Sequence, residues 1–257
     1  MSRFVNLELG GNEEEFSRQE RVVKDGAYYF AEATAAFENL DFEESLRLHG
    51  KVLEHDAGYA AAWTGQVRAL IELGEYREAS VWADKALEQF PHEAELLAAK
   101  AVALGRAGEF GPALAFSDAA IEEPGQTPYV WLARADVLLA GREQRAEYCF
   151  EKALAMAAGN WLVAWLAARI RFFHRQFLLA LKLAQRAVEW HPQHAPCWLL
   201  LGWCQQEIGM VGPARQSLEQ AAQLRPRWAE VQKARHAVED TGFFRRLAGG
   251  VRGLFHP

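Results

Sequence analysis

Small residues return along the chain at a near-constant interval of about 34 positions, in three parallel columns. One column runs Ser45, Ala79, Ala113, Ala146, Ala180 and Ala214. A second runs Val52, Ala86, Ala120, Ala153, Ala187 and Ala221. A third, upstream in each unit, runs Ala33, Val67, Ala101, Ala135, Ala168 and Gly202. Small residues at fixed places in a helix-length pattern mark where one helix approaches another closely. A unit of this length that recurs is the mark of a helical solenoid. The pattern predicts an all-α, right-handed solenoid of helical hairpins. Its units fall at residues 26–59, 60–93, 94–127, 128–160, 161–194 and 195–228, followed by a capping helix over 229–240.

Each unit reads as a helix, a tight turn, a second helix and a short link. Gly74, Gly108 and Gly209 supply the left-handed backbone that ends the first helix of units two, three and six. The residue after the turn, such as Tyr76 or Phe110, packs back into the hairpin. Pro91, Pro192 and Pro226 close units two, five and six, where a helix interior cannot continue. Four departures predict local irregularity. Unit one has Ser45 and Val52 in the alanine columns. Unit three breaks at residues 123–128, which shortens its second helix. Unit four is one residue short between Ala135 and Ala146. Unit five has Arg175 and Gln176 where glycine is expected. In the capping segment, Gln232 and His236 hold places that are apolar in the other units, as a solvated end requires.

These residues resemble the tetratricopeptide repeat family. A large residue opens the first helix (Tyr29, Trp63, Leu97, Trp131, Trp198), a small one follows four positions on, and the alanines and closing proline come next. The resemblance covers residues 26 to 240. It implies a concave groove lined by the second, fifth, ninth and twelfth places of each unit. On this chain the amino-terminal part of that wall includes Phe30, Phe37 and Arg68, and the middle includes Tyr129. The carboxy-terminal part, Trp165, Phe172, Leu199 and Trp203 around Arg169, is expected to form an exposed apolar wall, the kind of surface that marks a binding site. The lysine and asparagine clamp by which some family members hold carboxylates is absent: Phe30/Thr34, Thr64/Arg68 and Ala98/Val102 stand in its places.

Composition narrows the function. Apolar residues make up 51% of the chain and nine are tryptophan, ample for a packed body. A net charge of −6 argues against nucleic acid as a partner. Cys149, Cys197 and Cys204 suit a reducing compartment, and Cys197 and Cys204 sit two helical turns apart, too far to bridge. Residues 1–11 lack a basic stretch leading into an apolar run, so no signal peptide is expected, and a cytoplasmic location follows. The segment 1–25 carries Glu13, Glu14 and Glu15 and no repeat signature. No phosphate loop, nucleophile elbow or HExxH pair occurs. His191, His194 and Cys197 are the densest metal-like group but lack an evident fourth ligand, so no metal or other cofactor is expected. Asp136 and His174 are expected to be solvated or helix-capping, and no residue is assigned a catalytic role.

Residues 241–257 differ from everything before them. They hold Arg245, Arg246 and Arg252, no acidic residue, and six large apolar side chains: Phe243, Phe244, Leu247, Val251, Leu254 and Phe255. As a helix the apolar set would share one face. Three readings stand: a docking segment for a partner or, weakly, a membrane; a plug for the groove; or a cover for the last repeat. The function expected from the sequence is thus a non-catalytic scaffold or adaptor that binds a peptide or helix of another protein. The alternative is a regulator, or a membrane-tethered assembly factor, gated by residues 241–257. Self-association is left open.

Overall fold

The computed structural model describes residues 25–239. Six helical hairpins follow one another: α1 (Gly26–Glu38) with α2 (Phe42–His55), α3 (Ala60–Leu73) with α4 (Tyr76–Gln89), and α5 (Ala94–Arg106) with α6 (Phe110–Glu122). Then come α7 (Pro128–Ala140) with α8 (Ala146–Met156), α9 (Trp161–Phe173) with α10 (Phe177–Trp190), and α11 (Ala195–Glu207) with α12 (Val211–Leu224). Residues 229–239 form a further helix, α13, and no strand occurs among the described residues.

Local chemistry starts and stops these helices. Asp25 accepts a hydrogen bond from the Tyr28 backbone N–H at 2.9 Å and Asn160 from that of Leu162 at 2.9 Å, each satisfying a donor the helix leaves free. Gly74, Gly108 and Gly209 take positive φ at the hairpin turns of units two, three and six. In the other three hairpins Leu40, Arg142 and Arg175 adopt that conformation, with φ of 65°, 58° and 58°. A side chain there costs about 1–2 kcal/mol, so packing around each turn holds it. Unit four keeps a glycine one place early for another reason: a Cβ on Gly141 would lie 2.1 Å from the Phe110 ring. The lost residue in that unit comes out of its second helix, and α8 has 11 residues against 14 in α4.

The alanine columns form the seams between helices. Ala79, Ala113, Ala180 and Ala214 are all 0% exposed. Ser45 fits the same column because its hydroxyl donates to the Ala33 carbonyl at 2.8 Å. Gly202 is required by contact, since a Cβ would lie 2.7 Å from Leu218 Cδ2. In α13 the core residues are Val231, Ala234 and Val238, buried on α11 and α12 together with Trp228. His236 is exposed, and no further hairpin among the described residues covers it.

The solenoid closes on itself. The turn between α1 and α2 meets the last units across the superhelix axis. Leu40 packs against the core of the last units, as Trp198 and Trp203 do. Arg225 donates to the Asn39 carbonyl at 2.8 Å and to both carboxylate oxygens of Asp41 at 2.8 and 2.9 Å. His194 Nε2 donates to the Glu38 carbonyl at 3.1 Å. Burial lowers the His194 pKa, against the pull of that bond, and burial raises the Glu38 carboxyl. His191 and His194 also pack on Trp161, with ring centroids 4.8 and 4.5 Å away. Among the described residues no three His, Cys, Asp or Glu side chains group as metal ligands.

Candidate functional site

Two columns of the repeat, one helical turn apart, face the axis at the end of each first helix. One holds Arg68, Val102, Asp136, Arg169 and Trp203. The other holds Glu72, Arg106, Phe173 and Glu207. Closure brings their charged members into a chain of alternating sign. Arg169 pairs with Glu72, and the Arg106 guanidinium lies 3.8 Å from Glu72 and 2.8 Å from Asp136. His174 Nε2 lies 2.7 Å from the other Asp136 oxygen. The expectation that Asp136 and His174 are each solvated or helix-capping is corrected for Asp136, which is only 1% exposed, while His174 does cap the end of α9; residues 38 apart in sequence form one hydrogen-bonded pair.

Burial alone would raise the Asp136 and Glu72 carboxyls. The Arg106 charge and the His174 bond outweigh it at Asp136, and Arg169 and Arg106 outweigh it at Glu72, so both pKa values lie below the ordinary range. Burial pushes the Arg106 guanidinium down, but Asp136 and Glu72 raise it on balance and keep it charged. Removing one member of such a buried set strands its partner, which costs about 3–5 kcal/mol.

Beyond this floor the concave face is shut. The Arg68 guanidinium lies between the Phe37 and Tyr129 rings, 5.0 and 4.0 Å from their centroids. With Leu132, Leu166 and Ile170 they leave a cavity of about 30 Å³. That is room for water, and no peptide backbone fits. Burial raises the Tyr129 phenol pKa despite the nearby Arg68 charge. Phe37, Arg68 and Tyr129 are thus inner-face residues, as their repeat places imply, but they fill the interior instead of lining an open groove.

An aromatic-walled open space lies at the mouth, on the turn side. A cavity of about 620 Å³ is walled by Leu40, Phe42, Phe172, Phe177 and Trp203, with Glu72, Arg106 and Arg169 beneath. Phe172 meets Phe177 edge-on at 5.3 Å between centroids and lies 6.1 Å from Trp203. The Arg169 guanidinium lies 5.2 Å from the Phe42 centroid and 5.0 Å from that of Trp165. Exposed Glu43, Glu207 and Glu230 ring the rim with Arg175.

The structure divides the residues of the expected wall between cavity and core. Phe172, Trp203 and Arg169 line the cavity. Trp165 and Leu199 do not belong to an exposed wall, since both are 0% exposed. The Trp165 indole N–H donates to the Pro196 carbonyl at 3.3 Å, because closely stacked α9 and α11 leave that side chain facing the next unit. Leu199 packs on Leu218 and Val231 in the core formed with α13. Phe30 packs on Tyr59 and His49, 5.0 and 5.6 Å away, apart from the mouth. Sequence reasoning missed Leu40, Phe42, Phe173 and Phe177. Phe42 and Phe177 hold the same post-turn place as Tyr76 and Phe110, where packing into the hairpin was expected. Only the closure shows that they also face a shared cavity.

No helix among the described residues is long and apolar enough to cross a membrane. The three cysteines are free and buried, and burial pushes the Cys197 and Cys204 thiols up to about 12.

Comparison with known proteins agrees with the architecture. Solved structures of similar fold include a tetratricopeptide repeat protein from Parabacteroides merdae, at 14% identity and a TM-score of 0.55, covering 83% of this chain and 84% of that one. The Cut9–Hcn1 hetero-tetramer of APC/C matches at 13% identity and a TM-score of 0.52, over 85% of this chain. The present chain spans 44% of the matched chain in that assembly. PilW, a type IV pilus biogenesis factor, matches at 19% identity and a TM-score of 0.50, covering 81% of this chain and 97% of PilW. At these identities the likeness is one of fold. None of the curated proteins matches the sequence. The family model of the tetratricopeptide repeat matches residues 36–103 and 174–237, more than half of the chain. With the recurring hairpins and alanine seams, this places the chain in the tetratricopeptide repeat family, whose fold generally mediates protein–protein interaction.

Proposed function

We propose that the protein is a non-catalytic interaction scaffold that binds a short apolar segment, peptide or helix, of another protein in the cavity at its mouth. One observation carries this reading. A space of about 620 Å³ walled by Phe42, Phe172, Phe177 and Trp203 stays open where the middle of the inner face is filled. Its size falls within the range of ligand pockets, and aromatic side chains at its centre are the residue types that dominate binding energy. The arginines beneath are committed to Glu72 and Asp136, so the apolar walls supply affinity and the floor supplies shape. A free thiol set suits a reducing, cytoplasmic setting. The reading involves no cofactor and no nucleic acid, and leaves self-association open.

The test uses peptides selected from a random display library against the full chain. Phe172→Ala and Trp203→Ala are each expected to weaken the selected peptide about tenfold or more, with unchanged helical circular dichroism. Affinity that survives both substitutions would overturn the assignment of the site.

A further inference from the structure

We infer that residues 241–257 of this chain are the resident occupant of the mouth cavity, so that a partner must displace them. The inference rests on reading the cavity as a peptide site and names its regulation. It starts from charge. Within the floor, Arg106 and Arg169 are neutralised by Asp136 and Glu72. On the rim, Glu43, Glu207 and Glu230 form no ion pair among the described residues, and Arg175 is turned onto the Phe177 ring 6.0 Å away. The cavity therefore offers apolar walls inside an acidic mouth.

Its complement is an aromatic segment with positive charge and no negative charge. Residues 241–257 have that composition: Phe243, Phe244, Leu247 and Phe255 beside Arg245, Arg246 and Arg252, with no Asp or Glu. Reach is favourable as well. α13 starts at the cavity, where Glu230 stands on the rim, and the helix runs on to residue 239. Nine helical residues advance about 13 Å, a distance that about four extended residues span on the way back. Leu247 and the residues beyond it can therefore meet the walls while the arginines meet Glu207 and Glu230. A segment tethered this closely competes at a high effective concentration, so even weak contacts hold it in place.

The test uses the intact chain and trypsin, which cuts after Arg245, Arg246 and Arg252. Cleavage at these sites is expected to be about tenfold slower in the wild type than in Trp203→Ala or in the double variant Glu207→Gln/Glu230→Gln, with circular dichroism unchanged. The double variant Leu247→Asp/Phe255→Asp leaves the walls intact and should bind a library-selected peptide more tightly than the wild type does. Equal cleavage in wild type and cavity variants would overturn the inference. So would protection that arises only on adding vesicles of phosphatidylcholine and phosphatidylserine, since the segment would then be a lipid anchor. A selected peptide that depends on Trp203 while the segment is cut equally in every variant sinks this inference alone. No selectable peptide at all sinks the site.

Discussion

In the middle of the inner face Arg68 lies between Phe37 and Tyr129, and about 30 Å³ remains. At the mouth the same place in the repeat is held by Trp203, a larger side chain, and about 620 Å³ remains. The size of the residue therefore does not decide whether a repeat position becomes interior or site. What stands across the axis decides it. In the middle, α1 and α3 face α7 and α9 directly, and their side chains interlock. At the mouth the turn between α1 and α2, with Leu40 in a left-handed conformation, stands between the first and last units and holds the walls apart.

The ionic floor separates the two regions, and breaking it should have the largest effect. Asp136→Ala leaves Arg106 buried beside a single acid and removes the partner of His174. A loss of about 3–5 kcal/mol is expected in urea unfolding. A loss under about 1 kcal/mol would mean that the floor is not what keeps the closed middle apart from the mouth.

The closed region can be probed through pH. His49 is buried beside Phe30, its Nδ1 has no hydrogen-bond partner, and burial with help from Arg68 lowers its pKa to about 4. The unfolded chain takes up this proton near pH 6.5 and the folded chain does not until about pH 4. Stability that is complete above pH 6.5 is therefore lost as pH falls toward 4, by at most about 3 kcal/mol. Asp136 and Glu72, whose pKa values are depressed, keep their contribution above the ordinary carboxylate range and lose it as pH falls through that range toward their lower folded values. His49→Leu should flatten the upper limb and leave the lower one. A profile unchanged by this substitution would remove His49 as its cause.

The mouth depends on the closure contacts, and here the expected energy is smallest. The Arg225–Asp41 pair is partly exposed, so Arg225→Ala should cost only about 1 kcal/mol. Its sharper signature is local: amide exchange at residues 38–42 should rise while the amides of α5 and α7 keep their protection. Exchange that rises equally in both places would mean that middle and mouth open together and are one region.

Much of the architecture was legible in the sequence. Ala79, Ala113, Ala180 and Ala214 announce close helix approach, and all four lie at seams with no exposed surface. Gly74, Gly108 and Gly209 take positive φ at the turns where the sequence places them. The candidate site was less legible, for reasons seen in single residues. Trp165 and Trp203 hold the fifth and ninth places of adjacent units, and both look like groove residues. Pro196 covers the first and only the second reaches the mouth. Asp136 and His174 lie 38 residues apart, and no periodicity joins them because the link runs through two neighbouring first helices.

By itself the sequence determined the helical class, the units, their seams and most turns, because each depends on residues within one repeat or its neighbour. Tertiary structure alone decided that the solenoid closes, through Arg225 on Asp41 and His194 on the Glu38 carbonyl, contacts that bring together residues more than 150 positions apart. Small rotations between successive hairpins add up over six units. No local pattern records their sum, and that sum sets which inner residues become core and which face an open cavity.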